Sequence, residues 1–214
     1  MKKLLFVLSI LFTSISFAQL KTGSIAYSIK VDAESEEQEQ VAAMFEGSKM
    51  TVYFKPNMTA LDMEMGMFMK ISTVSDAKKH KTLTLMDIMG QKIAVRDAEA
   101  EAPKKNETVE KTSETKTILG YNCVKYRIID ENDNMVTMWV TEEIIVNPEG
   151  QTVFRKDIKG TPLAFSTIQN GIKMNFEVTK IETKANKSKF SMKIPAGYEE
   201  KTAEELKAQA AGGE

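Results

Sequence analysis

A two-residue alternation of apolar and polar side chains constrains this chain more than any other feature. It is clearest in Met58 to Lys70, MTALDMEMGMFMK, and in the expected partner strand Lys81 to Arg96, KTLTLMDIMGQKIAVR. Successive side chains of a β-strand point to opposite faces. A strand over 58–70 therefore puts Leu61, Met63, Met65, Met67 and Met69 on one face, with Asp62, Glu64 and Lys70 on the other. The result is an apolar wall made mostly of methionine, with Met86 and Met89 available beside it from the partner strand. Thioethers on flexible, unbranched stems adapt to irregular neighbours, so such a wall suits a plain core as well as a cavity for a greasy ligand.

The same period recurs along the chain. Thr22 to Val31 places Ile25, Tyr27, Ile29 and Val31 on one face, and Lys49 to Lys55 is a second strand ending at the turn pair Pro56-Asn57. Between them, residues 32–47 carry acidic residues in the first turns, Asp32 as a candidate N-cap and Gly47 near the end, which predicts a helix. Val41, Met44 and Phe45 form its apolar stripe, so the helix is expected to lie across a sheet and cover it. Residues 75–80 form a polar turn holding the single histidine, His80. Residues 97–115 contain one large apolar residue, a valine, among Glu, Lys and Thr, and are expected to form a mobile loop.

Lys116 to Ile129 and Asn134 to Val146 flank a turn at 130–133 and predict a β-hairpin. Asn170-Gly171 is a strong turn signal before Ile172 to Glu182, whose Ile172, Met174, Phe176 and Val178 alternate with polar residues. Lys189 to Ile194 is expected to be a last short strand, and Thr202 with Glu205 forms a capping box for a short terminal helix before a frayed tail at 207–214.

The N-terminus has the layout of a secretory signal peptide: two lysines, an apolar run from Leu4 to Phe12, and small residues closing on Ala18. Cleavage there would leave 196 of the 214 residues, with 27 basic and 30 acidic side chains and a net charge of −3. That size supports one domain with its own core. The expected location is the periplasm or outside the cell, and the apolar run is too short for an integral membrane protein. No cysteine stands at the cleavage site, so N-terminal lipidation is not expected. The acidic balance excludes a nucleic-acid partner, and the lone Cys123 excludes an internal disulfide.

Later stretches carry a resemblance. TILGYNCVKYRI, MWVTEEI, IKGTPLAFSTIQNGIKMNFEVTKIE and FSMKIPAGYEEKTAEEL, together with TLTLMDIMGQKIAV, resemble the domain-of-unknown-function family numbered 4412 over roughly residues 58 to 206. The resemblance implies an exported Gram-negative bacterial protein with no assigned activity, similar in architecture to the LolA/LolB-like lipoprotein carriers. The implied fold is mainly β with a few helices, an α+β arrangement in which a curved antiparallel sheet or half-barrel is covered by one or two helices. No ligand contacts carry over from the carriers, because that similarity is architectural.

Chemistry is sparse in the sequence. A nucleophile elbow, an HExxH pair and a phosphate-binding glycine loop are all lacking, so neither an enzyme nor a cofactor is expected. Asp62, Glu64, Asp87, Glu142 and Glu143 fall where solvated strand faces and ends are expected. Three readings of the methionine wall stay open. It is a plain core, or a Cu(I) site of soft thioethers from Met63, Met65, Met67 and Met69, or the lining of a cavity for an acyl or lipoprotein ligand. The last reading names Leu61, Met63, Met65, Met67, Met69, Met86 and Met89, with Met44 and Phe45 on the covering helix.

Overall fold

The computed structural model describes residues 19–33, 35–97, 107–131, 135–147, 154–169 and 172–206. Among the described residues, twelve strands form one sheet. In chain order they are β1 (Gly23–Val31), β2 (Lys49–Lys55), β3 (Met58–Met65), β4 (Met69–Asp76), β5 (Lys81–Ile88), β6 (Gln91–Arg96), β7 (Thr108–Ile118), β8 (Tyr121–Ile129), β9 (Met135–Thr141), β10 (Thr161–Gln169), β11 (Ile172–Glu182) and β12 (Glu199–Lys201). Their order across the sheet is β12-β6-β5-β4-β3-β2-β1-β11-β10-β9-β8-β7. Two antiparallel meanders, β1 to β6 and β7 to β11, are thus joined where β1 pairs with β11. Among these strands, only β12 runs parallel to its neighbour, β6. The sheet is large, curved and unclosed, and the chain is mainly β with short helices, as its alternation requires.

Several strands expected as single runs fold back on themselves. Residues 58–70 form the β3–β4 hairpin, in which Met65 pairs with Met69 across a turn at Gly66 to Phe68. Gly66 has φ +55 and sits so close to the chain that an added Cβ would lie 2.2 Å from the Met44 carbonyl oxygen, which leaves room for no other residue. Residues 81–96 likewise form the β5–β6 hairpin around Met89 and Gly90, both at positive φ, with Asp87 accepting a hydrogen bond from the Gly90 N–H. Leu119-Gly120 makes the same kind of turn between β7 and β8. Consecutive positive-φ residues match the twist of the flanking strands.

Residues 108–115, expected to be mobile, belong to β7 at the sheet edge. Backbone pairing with β8 and the ion pairs of Glu114 with Lys125 and Arg127 hold the strand, although most of its side chains are exposed. A charged edge strand also discourages pairing with another chain. Residues 98–106 lie outside the described set. The strand expected at 189–194 is instead a 3₁₀ turn, Lys187–Phe190, followed by an extended segment leading to β12. Thr202 and Glu205 form the expected reciprocal cap, while the tail at 207–214 is not described.

The first helix, α1 (Glu36–Met44), is capped by Ser35, whose hydroxyl accepts from Gln38 N–H. Asp32, the expected cap, instead takes hydrogen bonds from Asn175 and Lys173, which hold its carboxyl below the usual range. Met44 of the helix is exposed, and among the helix's described side chains none belongs to the main core.

The core lies against one face of β1, β2 and β8 to β11. Paired positions give a buried row crossing the sheet, Ile29, Phe176, Phe165, Met138 and Tyr126. Phe165 stacks on Phe176 with ring centroids 4.5 Å apart and meets the edge of Tyr27 at 5.9 Å. Ile144, Val146, Phe154 and Ile158, from the segment between β9 and β10, close over this row. The Tyr27 hydroxyl donates to the Pro162 carbonyl at 2.7 Å, and Thr161 donates to the Ile144 carbonyl at 2.9 Å. On the opposite face of β3 and β4, Phe190 packs with Ala60 and Val74, and Lys189 is anchored to Asp62 at 2.7 Å.

Candidate functional site

Register places the methionines. Met50 of β2 pairs with Met63 of β3, Met63 with Ile71 of β4, Ile71 with Met86 of β5, and Met86 with Ile93 of β6. These residues share one face, because pairing preserves facing across an antiparallel sheet. One step nearer the hairpin turns, Met65, Met69 and Ile88 form a second row. One step away, Val52, Leu61, Thr73 and Thr84 form a third.

Burial changes along these rows. Met50, Val52 and Leu61 are buried in the main core, and Met63 and Met65 pack against it while partly exposed. Met69, Ile71, Thr73, Thr84 and Met86 are half-buried. Beneath them, on the other face, Val74 and Leu83 are buried. The wall is therefore backed by buried residues at Val74 and Leu83, and its front is partly accessible to solvent from β3 to β5 and buried again at Ile93 and Val95 of β6.

Of the nine residues expected to line a ligand site, the structure brings Leu61, Met63, Met65, Met69 and Met86 together. Met69 reaches the wall from the second strand of a hairpin and not from a continuous run. Met67 does not join it, because it sits in the β3–β4 turn and is 94% exposed. Met89 does not join it either, occupying the β5–β6 turn at 82% exposure. Met44 is exposed and Phe45 half-buried at the end of α1, beside the β3–β4 turn and off the wall.

This architecture, a curved sheet of two antiparallel meanders, can now be set beside known proteins. The sequence model described as Domain of unknown function (DUF4412) matches residues 33–198. The chain belongs to the DUF4412 family. No curated protein matches it. Among solved structures, PNGF-II in its P21 crystal form is similar at 20% identity and a TM-score of 0.53, over 90% of this chain and 34% of PNGF-II. The C2 form gives 20% identity and 0.52, over 89% and 33%. The chain thus spans about a third of the length of PNGF-II, and the likeness is one of fold. LprF from Mycobacterium bovis aligns over 82% of this chain and 90% of its own, at 12% identity and a TM-score of 0.32.

In this DUF4412 protein Asp62, Glu64, Glu142 and Glu143 are each engaged in contacts within the fold. Asp62 accepts from Ser72 and Lys189, and Glu64 pairs with Lys49 at 3.0 Å. Glu142, held below the usual range by Lys159 and Lys111, ties the segment after β9 to β7. Glu143 accepts from the Asn122 N–H. Burial pushes the Cys123 thiol up to about 11, so it stays protonated at neutral pH and is a poor nucleophile. Among the described residues, no group of three or more His, Cys, Asp or Glu side chains is placed to hold a metal ion. No helix among them is long and apolar enough to cross a membrane.

Reading each strand alone missed what pairing contributes: Ile71, Thr73 and Thr84, none of which stands out by type, extend the wall across β4 and β5. Gly66 and Gly90 were the available signals. A glycine inside a long alternating run marks a turn or close approach, and each of these two folds the run into a hairpin.

Proposed function

We propose that this DUF4412 protein is an exported, non-catalytic binding protein that holds an acyl chain or another hydrophobic ligand against Met63, Met65, Met69, Ile71 and Met86. The observation carrying this reading is the change in burial along one face, from sealed at Met50 and Val52 to partly exposed at Met69, Ile71 and Met86. Ordered apolar side chains, partly accessible between buried flanks at Met50 and Val52 on one side and Ile93 and Val95 on the other, are what a hydrophobic ligand site requires. Methionine stems adapt to ligands of varied shape. Binding would be reversible and free of bond chemistry. The leader-like N-terminus supports export, to the periplasm or outside the cell.

The test is titration of the protein, purified after export, with a fluorescent fatty acid, alongside native mass spectrometry. Saturable one-to-one binding is expected in the wild type. Met69→Glu and Met86→Glu, at positions partly exposed and not packed on the main core, should each weaken it at least about tenfold, since a carboxylate there meets the apolar ligand, with the urea midpoint little changed. Unaltered binding in both variants overturns the assignment.

One observation favours a second reading. Met65 and Met69 are directly opposed on adjacent strands, about 5 Å apart at Cα, and with Met63 and Met86 they bring four thioethers to one face. An added copper mass, removable by a Cu(I) chelator and lost in Met65→Leu/Met69→Leu, would establish a soft-metal site in place of the acyl site.

A further inference from the structure

The turns at 66–68 and 89–90 lie side by side. Their strands are paired through Met69 and Ile88, and the Met89 N–H donates to the Phe68 carbonyl at 2.8 Å. Both project past the last ladder pairs, Met65 with Met69 and Ile88 with Gln91. What they expose is apolar: Met67, Phe68, Ile88 and Met89, with Met44 beside them at the end of α1. A convex pair of apolar tips presents no groove for a peptide segment.

Directly behind the tips, on the face opposite the wall, the paired positions alternate in sign across five strands. Lys49 faces Glu64, Glu64 faces Lys70, Lys70 faces Asp87, and Asp87 faces Lys92. Adjacent strands lie about 4.8 Å apart, so positive and negative groups alternate on that spacing in a collar of nearly balanced charge. Such a collar complements a layer in which each molecule carries one phosphate and one ammonium.

We propose that this end of the sheet docks on a zwitterionic phospholipid surface, with the Met67, Phe68 and Met89 tips in the interfacial layer and the Lys49–Lys92 ladder among the headgroups. Amphipathic surfaces bind membranes in this way, through shallow burial of apolar side chains. The surface lies at the end of the sheet where the wall terminates in Met65, Met69 and Ile88, but docking does not depend on the wall holding a ligand.

The test is flotation of the exported protein with vesicles of phosphatidylethanolamine and phosphatidylcholine, and with the same vesicles containing about one third phosphatidylglycerol. The wild type should float with both, equally, and as well at 0.5 M salt as at 0.1 M. Met67→Ser/Phe68→Ser/Met89→Ser should reduce the bound fraction at least about tenfold, while fatty-acid titration and the urea midpoint stay at wild-type values. Three results overturn the proposal: no flotation with neutral vesicles, flotation only with anionic vesicles and lost in salt, or a triple variant that floats like the wild type. Sedimentation velocity supplies a fourth. If the triple variant turns a wild-type dimer into a monomer, the tips are a contact between two copies of the chain and not a membrane surface.

Discussion

Two halves of one sheet show the same face in different states. In the half containing β1 and β8 to β11, the row from Ile29 to Tyr126 is buried, because the segment carrying Ile144, Val146, Phe154 and Ile158 closes over it. In the half containing β3 to β6, the described chain caps the other face, through Phe190 and the Lys189–Asp62 pair, and leaves Met69, Ile71 and Met86 partly exposed. Local sequence does not distinguish them, since both rows are apolar and alternate with period two. Which face of each half is covered depends on where the irregular segments after β9 and after β11 cross the sheet.

The sharpest way to break this comparison is to truncate one residue in each half and compare stability by urea denaturation. Phe165→Ala removes a ring packed between Phe176 and Tyr27 and should cost about 3–5 kcal/mol. Met86→Ala removes a partly exposed side chain and should cost about 1 kcal/mol or less. If Met86→Ala proves as costly as Phe165→Ala, β5 is as sealed as β10 and the wall is an ordinary core. A smaller effect is expected for Tyr27→Phe, which leaves the ring in place and deletes the hydroxyl donating to the buried Pro162 carbonyl. It should cost about 1 kcal/mol, and a neutral result would mean that this hydrogen bond does not help to fix β1 against β10.

Much of this was legible residue by residue. Alternation located β1, β2, β8, β9 and β11, and identified the face carrying Leu61, Met63 and Met65. Composition misled in two places. Residues 108–115 hold a single apolar residue, Val109, yet an edge strand needs only one paired neighbour and can be wet on most of its surface. Met67 and Met69 read as consecutive wall positions, because period two cannot show that a chain reverses at Gly66. Reversal exchanges a neighbour along the strand for one across it, which keeps Met69 on the wall and sends Met67 to the tip. The covering segments were least legible. Phe190 and Ile144 act through long-range contacts that no local pattern encodes, and the helix that looked like a cover caps at Ser35 and adds no described side chain to the main core.

The smallest effect concerns what holds the closing segment in place. Arg155, in that segment, is held by Asp157 and also by Glu107, just before β7. The hydrogen bond from Arg155 keeps the Asp157 carboxyl below its ordinary range. A carboxylate with a lowered folded pKa stabilises the fold above its unfolded value, about 3.9, and loses that contribution as the pH falls through the folded value. Because the Asp157 side chain is nearly half exposed, solvent screening limits the effect to well under about 1 kcal/mol. Asp157→Asn should therefore be slightly less stable than the wild type at pH 7, and the two urea midpoints should converge in acid, below the folded pKa of Asp157. A gap that persists at low pH would show that Asp157 acts by packing or by a hydrogen bond that its carboxyl makes and an amide does not. The charge would then play no part in holding the cap that makes one half of the sheet a core and leaves the other open.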